Sequence, residues 1–442
     1  MKYLKNTVQL ILLLIFYNII PFYTLVKIPI ALKVITTVVL SVLFVFTLVH
    51  SEKAGKDSKK LKRIESGCLL VKYCGISAIA EIIVLFFYIR GNISGVINTV
   101  FAVAFPIVFI AVTLFSGIIK ILICSKQVKI TDYIILLLFW WFPIVNIFLF
   151  VKFYKIGKRE VIFETDKLEL ENSRAQNEIC KTKYPILMVH GIFFRDWQFF
   201  NYWGRIPAAL IRNGAEIYYG NQQSASSIER SASELRDRIL EVINESGAEK
   251  VNIIAHSKGG LDSRYAISCL GMDKYVASLT TINTPHSGCN MVDYLFDKLP
   301  QSVIDFLTRK YNRIFSKLGD NSPDFIEGAN DLRASRADAF NQKTPDSPDV
   351  FYQSRMSVMS SWRSAFFVLG ISHLLIKKLD GDNDGLVYVE SAKHGDFSVV
   401  SAPKRRGISH GDVIDLMREN IEGYDVREYY VDIIKNLKEK GL

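Results

Sequence analysis

Charge is nearly absent from long stretches of the first 153 residues. Between Thr7 and Phe153 the chain passes through long apolar segments, whereas after Lys155 its composition is that of an ordinary soluble protein. A chain of 442 residues also exceeds one average domain. The lack of charge therefore argues against a single soluble domain and predicts a membrane part followed by a soluble part.

Cysteine is scarce and irregularly spaced. The chain has six cysteines, no C-x-x-C pair and no spacing that suits zinc. Three cysteines lie in or beside the apolar segments, and three lie in the soluble part, at Cys180, Cys269 and Cys289. An odd number in the soluble part argues against a disulfide framework, so we expect buried or free thiols.

The excess of positive charge belongs to the membrane part. Residues 1–160 contain 19 Lys and Arg against 6 Asp and Glu, a net charge of +13, and the remaining residues contain 35 against 38, a net charge of −3. The basic character of the chain therefore gives no reason to expect a nucleic-acid partner.

Five apolar segments are long enough to cross a bilayer, which takes about 20 residues. They cover residues 7–25, 28–49, 68–89, 95–124 and 131–152. The first resembles a signal peptide because Lys2 and Lys5 precede it, but no small-residue cleavage site follows, so we predict a retained anchor. With five spans, 11 Lys and Arg fall on the inner loops and 7 on the outer side. This distribution favours a soluble domain outside the cytoplasm, although the charges after the last segment favour the opposite orientation.

The soluble half shows alternating strand and helix patterns. Residues 1–155 are predicted to be the transmembrane domain, 156–183 a charged linker that is helical in part, and 184–442 an α/β domain. Short apolar runs such as "YPILMVH" and "KVNIIAH" are typical of strands buried in a parallel sheet. The helical pattern at 228–247 between them predicts a doubly wound fold.

One strand ends in the sequence "NIIAHSKGGLDSRY", which places Ser257 between a buried strand and a helix pattern. A nucleophilic serine occupies such a turn in Gly-x-Ser-x-Gly motifs, and Ala255 replaces the first glycine here. The alternative is that Ser257 only caps the helix.

Three further features favour catalysis. The turn "VHGI" could direct backbone amides of Ile192 and Lys258 at an oxyanion. Asp384 lies in a Gly-rich turn, and His410 follows it in "GISHGD". The order Ser, Asp, His is that of α/β hydrolases. His394 also follows the acid and precedes Gly-Asp, but only ten residues separate it from Asp384, so we favour His410 as the base.

From Tyr184 to Asp412 the chain resembles bacterial triacylglycerol lipases of the Pseudomonas and Burkholderia type. The matching segments are "YPILMVHG", "YWGRIPAALIRNGAEIYYGN", "VNIIAHSKGGLDSRY", "LTTINTPHSGC", "NDGLV" and "SHGD". The resemblance implies an α/β-hydrolase fold with a helical lid at about 291–319, preceded here by a transmembrane helical bundle of about five spans. It makes Ser257, Asp384 and His410 the triad.

The resemblance also implies a structural calcium ion, although no cofactor takes part in the chemistry. Asp412, two residues after the catalytic histidine, matches one calcium ligand. The other expected aspartate precedes the catalytic acid, and residues 359–370 contain no carboxylate. Asp412 therefore has a second interpretation as a helix cap.

The sequence thus predicts a membrane-anchored serine hydrolase that acts on lipid esters at a membrane, through an acyl-enzyme. An acyltransferase would use the same triad, and sequence does not separate the two activities. A catalytically inactive membrane binding or transport protein is the alternative of a different class, and the intact Ser, Asp and His argue against it.

Overall fold

The computed structural model describes residues 2–50, 58–91, 95–192, 201–317, 323–365, 367–400 and 406–442. The chain divides into two compact units, Met1–Glu169 and Leu170–Leu442. This division falls inside the segment 156–183 that we predicted as a linker.

The first unit is helical. Its helices are α1 Lys2–Tyr17, α2 Ile19–Leu25, α3 Ile30–Val49, α4 Lys59–Arg90, α5 Val96–Cys124, α6 Ile130–Phe139 and α7 Pro143–Arg174. Helices α3, α4 and α5 are each long and apolar enough to cross a membrane, and α1 and α2 add a fourth candidate that is bent by 59°. The bend lies at Asn18, whose Nδ2 donates to Glu81 Oε1 at 2.6 Å.

The fifth predicted span is divided between two helices. Helix α6 covers only ten residues, and the chain turns at Trp140 and Trp141 before α7 begins at Pro143. Helix α7 continues to Arg174, and its second half is rich in charged residues. Much of the segment 156–183 that we predicted as a linker is therefore helical. Among the described residues the span candidates therefore number three, or four with the bent pair, and five spans stay a prediction.

The second unit is built on one parallel sheet. Its strands are β1 Ile186–Val189, β2 Ile217–Tyr219, β3 Val251–His256, β4 Val276–Ile282, β5 Phe351–Ser357 and β6 Asp396–Val400, in the order β2-β1-β3-β4-β5-β6. Every neighbouring pair is parallel. Strands β1, β3 and β4 are buried along their whole length because they are central, which explains why apolar residues predominate in them.

Helices surround this sheet and form two apolar cores with it. They are α8 Ile206–Arg212, α9 Ile228–Ser246, α10 Lys258–Cys269, α11 Asn290–Lys298, α12 Gln301–Lys317, α13 Phe325–Asn330, α14 Ala334–Lys343, α15 Phe367–Leu379 and α16 Val426–Glu439. One core joins α9 to β1 and β3 through residues such as Leu235 and Ile253. The other contains Trp203 and Tyr430, with α8 and α16. The α/β-hydrolase prediction is confirmed by this architecture.

Helices α11 and α12 occupy the region that we predicted as a lid, of which the last two residues, 318 and 319, lie outside the described part. Both helices carry apolar side chains in contact with solvent, including Leu295, Phe306 and Leu307.

Candidate active site

Ser257 lies on a tight turn between β3 and α10. Its backbone has φ +55° and ψ −131°, a conformation that non-glycine residues rarely adopt and that costs roughly 1–3 kcal/mol. The turn passes very close to the end of β1: a Cβ added to Gly191 would lie 2.8 Å from the Ser257 Cβ, and one added to Gly259 would lie 2.4 Å from the His190 carbonyl oxygen. A residue without a Cβ is therefore required at position 191, on the turn that faces the serine, and at position 259, two residues after it. Its side chain makes no capping hydrogen bond to α10, which argues against the helix-cap alternative.

Asp384 is fully buried, and four donors hold its carboxylate. Oδ1 accepts from the backbone amides of Leu386 and Val387, both at 2.8 Å. Oδ2 accepts from Asn283 Nδ2 and from His410 Nδ1, both at 2.6 Å. A carboxylate held in this way can orient a neighbouring histidine and stabilise its cation.

His410 is held at both its backbone and its ring. Its amide donates to the Asp384 carbonyl at 2.9 Å, and its ring lies against the His256 ring, with centroids 4.4 Å apart. Because Nδ1 donates to Asp384, Nε2 is the nitrogen that remains for a serine proton. Within the described part of the chain no direct hydrogen bond joins Ser257 to His410, and in unliganded enzymes this bond is commonly long.

The proposed oxyanion donors flank the nucleophile. Ile192 follows the turn after β1, and Lys258 is the first residue of α10, so both amides belong to the loops that meet at Ser257. Tyr202 joins these loops: its hydroxyl accepts from the Gly191 amide at 3.0 Å and lies 2.6 Å from His256 Nδ1, to which it can donate. Tyr202 thereby joins the turn at Gly191 to the end of the strand before Ser257.

The Lys258 side chain points away from solvent. Its Nζ donates to Asp262 Oδ1 at 2.7 Å and to Ser231 Oγ at 3.1 Å, and the whole residue is buried. Burial raises the pKa of Asp262 to about 7, and the ammonium of Lys258 counteracts part of that rise. The Lys258 side chain is therefore turned into the domain, where Asp262 and Ser231 hold its ammonium group.

A second pair of histidines is unrelated to the Asp384 carboxylate. His394 Nε2 lies 3.0 Å from Asp346 Oδ1, and the His394 ring stacks on that of His286 with centroids 4.4 Å apart. The structure therefore brings His410, and not His394, to Asp384.

The surroundings of Asp412 do not fit a calcium ion. Asp412 Oδ2 accepts from the Ser409 amide at 3.0 Å and from Ser409 Oγ at 2.8 Å, and Asp412 Oδ1 accepts from Arg406 Nη2 at 3.2 Å. A guanidinium group beside the carboxylate repels a divalent cation. Across the ranges that the structure describes, no group of three His, Cys, Asp or Glu side chains could hold a metal. Asp412 and Ser409 instead form a reciprocal pair, in which the Asp412 carboxylate accepts from the Ser409 amide and Ser409 Oγ accepts from the Asp412 amide at 3.2 Å.

Sequence reasoning missed Asn283 and Tyr202. Asn283 follows β4 and has φ +50°, and its Oδ1 accepts from the Ser357 amide at 2.9 Å while its Nδ2 reaches Asp384. A polar residue directly after a central strand was a usable signal, because the carboxyl ends of parallel strands meet at one edge. Tyr202 carried no comparable signal, since it lies in a loop far from both of its partners in sequence.

Comparison with known proteins supports a lipase relationship. The sequence model of the lipase (class 2) family matches residues 183–284. A triacylglycerol lipase from Burkholderia plantarii is 30% identical over 184 residues, which are 39% of this chain and 51% of that protein. One from Pseudomonas fragi is 27% identical over 298 residues, which are 60% of this chain and 100% of that protein. The chain spans about half the length of the first curated relatives that it matches.

Solved structures include similar chains. The Staphylococcus hyicus lipase is 20% identical, with a TM-score of 0.48 and coverage of 59% of this chain and 97% of that one. The strand order and the turn at Ser257, together with the matches in sequence, lead to one conclusion. The second unit has the α/β-hydrolase fold, and its sequence is similar to those of bacterial triacylglycerol lipases.

Proposed function

We propose that this protein is a membrane-anchored serine hydrolase that cleaves carboxylic esters of lipids. The observation that carries the proposal is the 2.6 Å hydrogen bond between His410 Nδ1 and Asp384 Oδ2, beside the turn that holds Ser257. The triacylglycerol lipases among its relatives support a lipid ester as the substrate.

The chemistry follows from the positions of these groups. Ser257 Oγ attacks the ester carbonyl while His410 Nε2 takes its proton, and Asp384 stabilises the imidazolium. The amides of Ile192 and Lys258 donate to the oxyanion. His410 then protonates the leaving alcohol, and water releases the fatty acid from the acyl-enzyme in a second cycle of the same steps.

The neighbouring imidazole of His256 does not compete for the proton. Its burial, with a further contribution from the charge of His410, lowers the pKa of His256 well below 6.5. His256 therefore stays neutral at physiological pH, and His410 is the imidazole of this pair that can act as the base.

The apolar helices of the first unit support association with the cell membrane as a multi-pass protein. With five spans, the larger number of Lys and Arg falls on the loops opposite the hydrolase domain, and on that basis we place the domain outside the cytoplasm. A cysteine introduced at the exposed Lys181 tests the side: an impermeant maleimide should label it in intact cells. Labelling that appears only after lysis would place the domain in the cytoplasm.

Ser257→Ala tests the activity directly. Purified full-length protein in detergent should react with a fluorescent phosphonate and hydrolyse a p-nitrophenyl ester, and the variant should lose about 10⁴-fold or more of the turnover while remaining folded. Ser268→Ala on the same helix is the matched control, because its hydroxyl donates to the Pro345 carbonyl and should be dispensable. Retained turnover in Ser257→Ala would refute the proposal. Product analysis with added alcohol separates hydrolysis from acyl transfer.

A further inference from the structure

We infer that Arg406 takes the place of a structural cation in the loop that carries His410, and that it is a positioning residue for this histidine. The effect that we expect on catalysis rests on the proposed function. The inference puts an arginine in place of the calcium ion that the resemblance to lipases implies. Its basis is two sets of contacts, one made by the Arg406 side chain and one by the Arg406 backbone.

On one side, the guanidinium group bridges two carboxylates. Arg406 Nη2 donates to Asp412 Oδ1 at 3.2 Å and to Glu419 Oε2 at 2.7 Å. The Asp412 side chain is 7% exposed and the other two are 26% and 27% exposed, so water screens this cluster only in part. Without a positive charge between them the two carboxylates would repel each other. Arg406 supplies that charge from a side chain of the protein and not from a bound ion.

On the other side, the backbone of Arg406 meets the segment 359–370, where the lipase resemblance places a second calcium ligand. The Arg406 carbonyl accepts from the Ser360 amide at 3.1 Å and from the Ser364 hydroxyl. Two segments that a calcium ion would join thus do meet here. The backbone of Arg406 makes this contact, while its side chain holds Asp412 and Glu419.

The contacts continue to the catalytic histidine. Asp412, held by Arg406, accepts from the backbone and side chain of Ser409, the residue before His410. The Ile408 amide donates to the Val358 carbonyl at 2.7 Å and so attaches the same loop to the end of β5. Removing the guanidinium would loosen this loop and misdirect the imidazole, without touching the surface that binds substrate. The loss should therefore fall on kcat and leave KM nearly unchanged.

The experiment uses full-length protein in detergent and measures kcat, KM, the rate of Ser257 labelling by a phosphonate, and the midpoint of thermal unfolding. For the wild type, dialysis against EDTA followed by addition of Ca²⁺ should change none of these. Arg406→Gln should lower kcat and the labelling rate by about tenfold or more, as expected for a lost charge-assisted hydrogen bond. Arg406→Lys should retain more of both rates because it keeps the charge. Arg363→Gln, an exposed arginine in the adjoining segment, is the matched control and should behave as wild type.

Two outcomes would overturn the inference. Loss of labelling or a lower midpoint in EDTA, reversed by Ca²⁺, would show that a cation holds the loop. A wild-type kcat in Arg406→Gln would show that the arginine positions nothing. If the wild type itself fails to react with the phosphonate, the proposed function fails. The unfolding midpoints would still test whether Arg406 replaces a cation, because Arg406→Gln should lower the midpoint and EDTA should not.

Discussion

Lys258 and Asp262 form a buried ion pair one helical turn apart, directly behind the nucleophile. Lys258 Nζ lies 2.7 Å from Asp262 Oδ1, and the side chains are 1% and 3% exposed. A charge that loses its partner in such a place has neither water nor a counterion to stabilise it. The two residues should therefore behave as one unit in folding.

Asp262→Ala should lower the free energy of unfolding by about 3–5 kcal/mol, because it leaves the ammonium buried and unpaired. The double variant Lys258→Met/Asp262→Ala should be more stable than Asp262→Ala, since methionine fills the space without a charge. Denaturant unfolding of the full-length protein measures both. A double variant no more stable than Asp262→Ala would show that the two residues are not coupled.

His410→Ala should abolish phosphonate labelling of Ser257, whereas His394→Ala should leave most of it. The reason is that His410 donates to Asp384, while His394 pairs with Asp346 in a separate cluster. Gel fluorescence after a short exposure to the probe is sufficient. The reverse pattern would move the base to His394 and discredit the triad.

Asn283→Gly should reduce kcat by about tenfold to a hundredfold with little change in KM. Glycine accepts the φ of +50°, so the backbone is relieved, but the 2.6 Å hydrogen bond to Asp384 is lost. A hydrogen bond to a charged group contributes about 1.5–3 kcal/mol, which gives this range. The variant also loses the bond from the Ser357 amide, so its unfolding midpoint should fall, and a cooperative transition would confirm that the fold persists. A wild-type kcat would mean that Asp384 needs no support from Asn283.

Long-chain esters presented as aggregates should be cleaved faster than soluble short-chain esters, because α11 and α12 expose apolar side chains. Phe306→Ser combined with Leu307→Ser should remove this preference and spare the hydrolysis of short esters. Arg309→Ser, exposed on the same helix, should keep the preference. A wild-type enzyme that cleaves only soluble short esters would contradict both the lid and the lipid substrate.

Acidification should destabilise the hydrolase domain in part through His286. Burial and the positive charges of His394 and Arg264 lower the pKa of His286 well below 6.5. Below pH 6.5 the unfolded chain therefore binds a proton that the folded chain does not, so the free energy of unfolding falls as pH decreases. The loss is about 1.4 kcal/mol for each pH unit below the unfolded value.

His286→Gln tests this contribution because glutamine does not titrate. Denaturant unfolding at pH 7.5 and at pH 5.5 should show a smaller loss of stability for the variant than for the wild type. Equal losses would assign the pH dependence to other groups, among which His256 is the first to examine.

Much of the site is predictable because its signals are local. Strand β3, Ser257 and helix α10 are contiguous in the sequence. The apolar residues of the strand and the small residues of the tight turn can therefore be recognised in one short segment. The order of Ser257, Asp384 and His410 is likewise readable without coordinates. The parallel sheet is indicated by runs such as "YPILMVH", because a short strand covered on both faces is typically apolar at successive positions.

Other features depended on contacts between residues far apart in the chain. The partner of Asp384 beside the histidine is Asn283, 101 residues earlier, and Tyr202 reaches His256 across 54 residues. Sequence alone left Lys258 without a defined partner, and only the packing of α9 against α10 shows that its charge is buried. The same holds for Arg406: its charge is visible in the sequence, but the bridge that it forms between Asp412 and Glu419 exists only once the chain after β6 has folded back on itself. Sequence patterning determines which segments are buried and which turn is tight, whereas the pairing of individual polar groups is decided by tertiary packing, because a hydrogen bond depends on distances that local pattern does not encode.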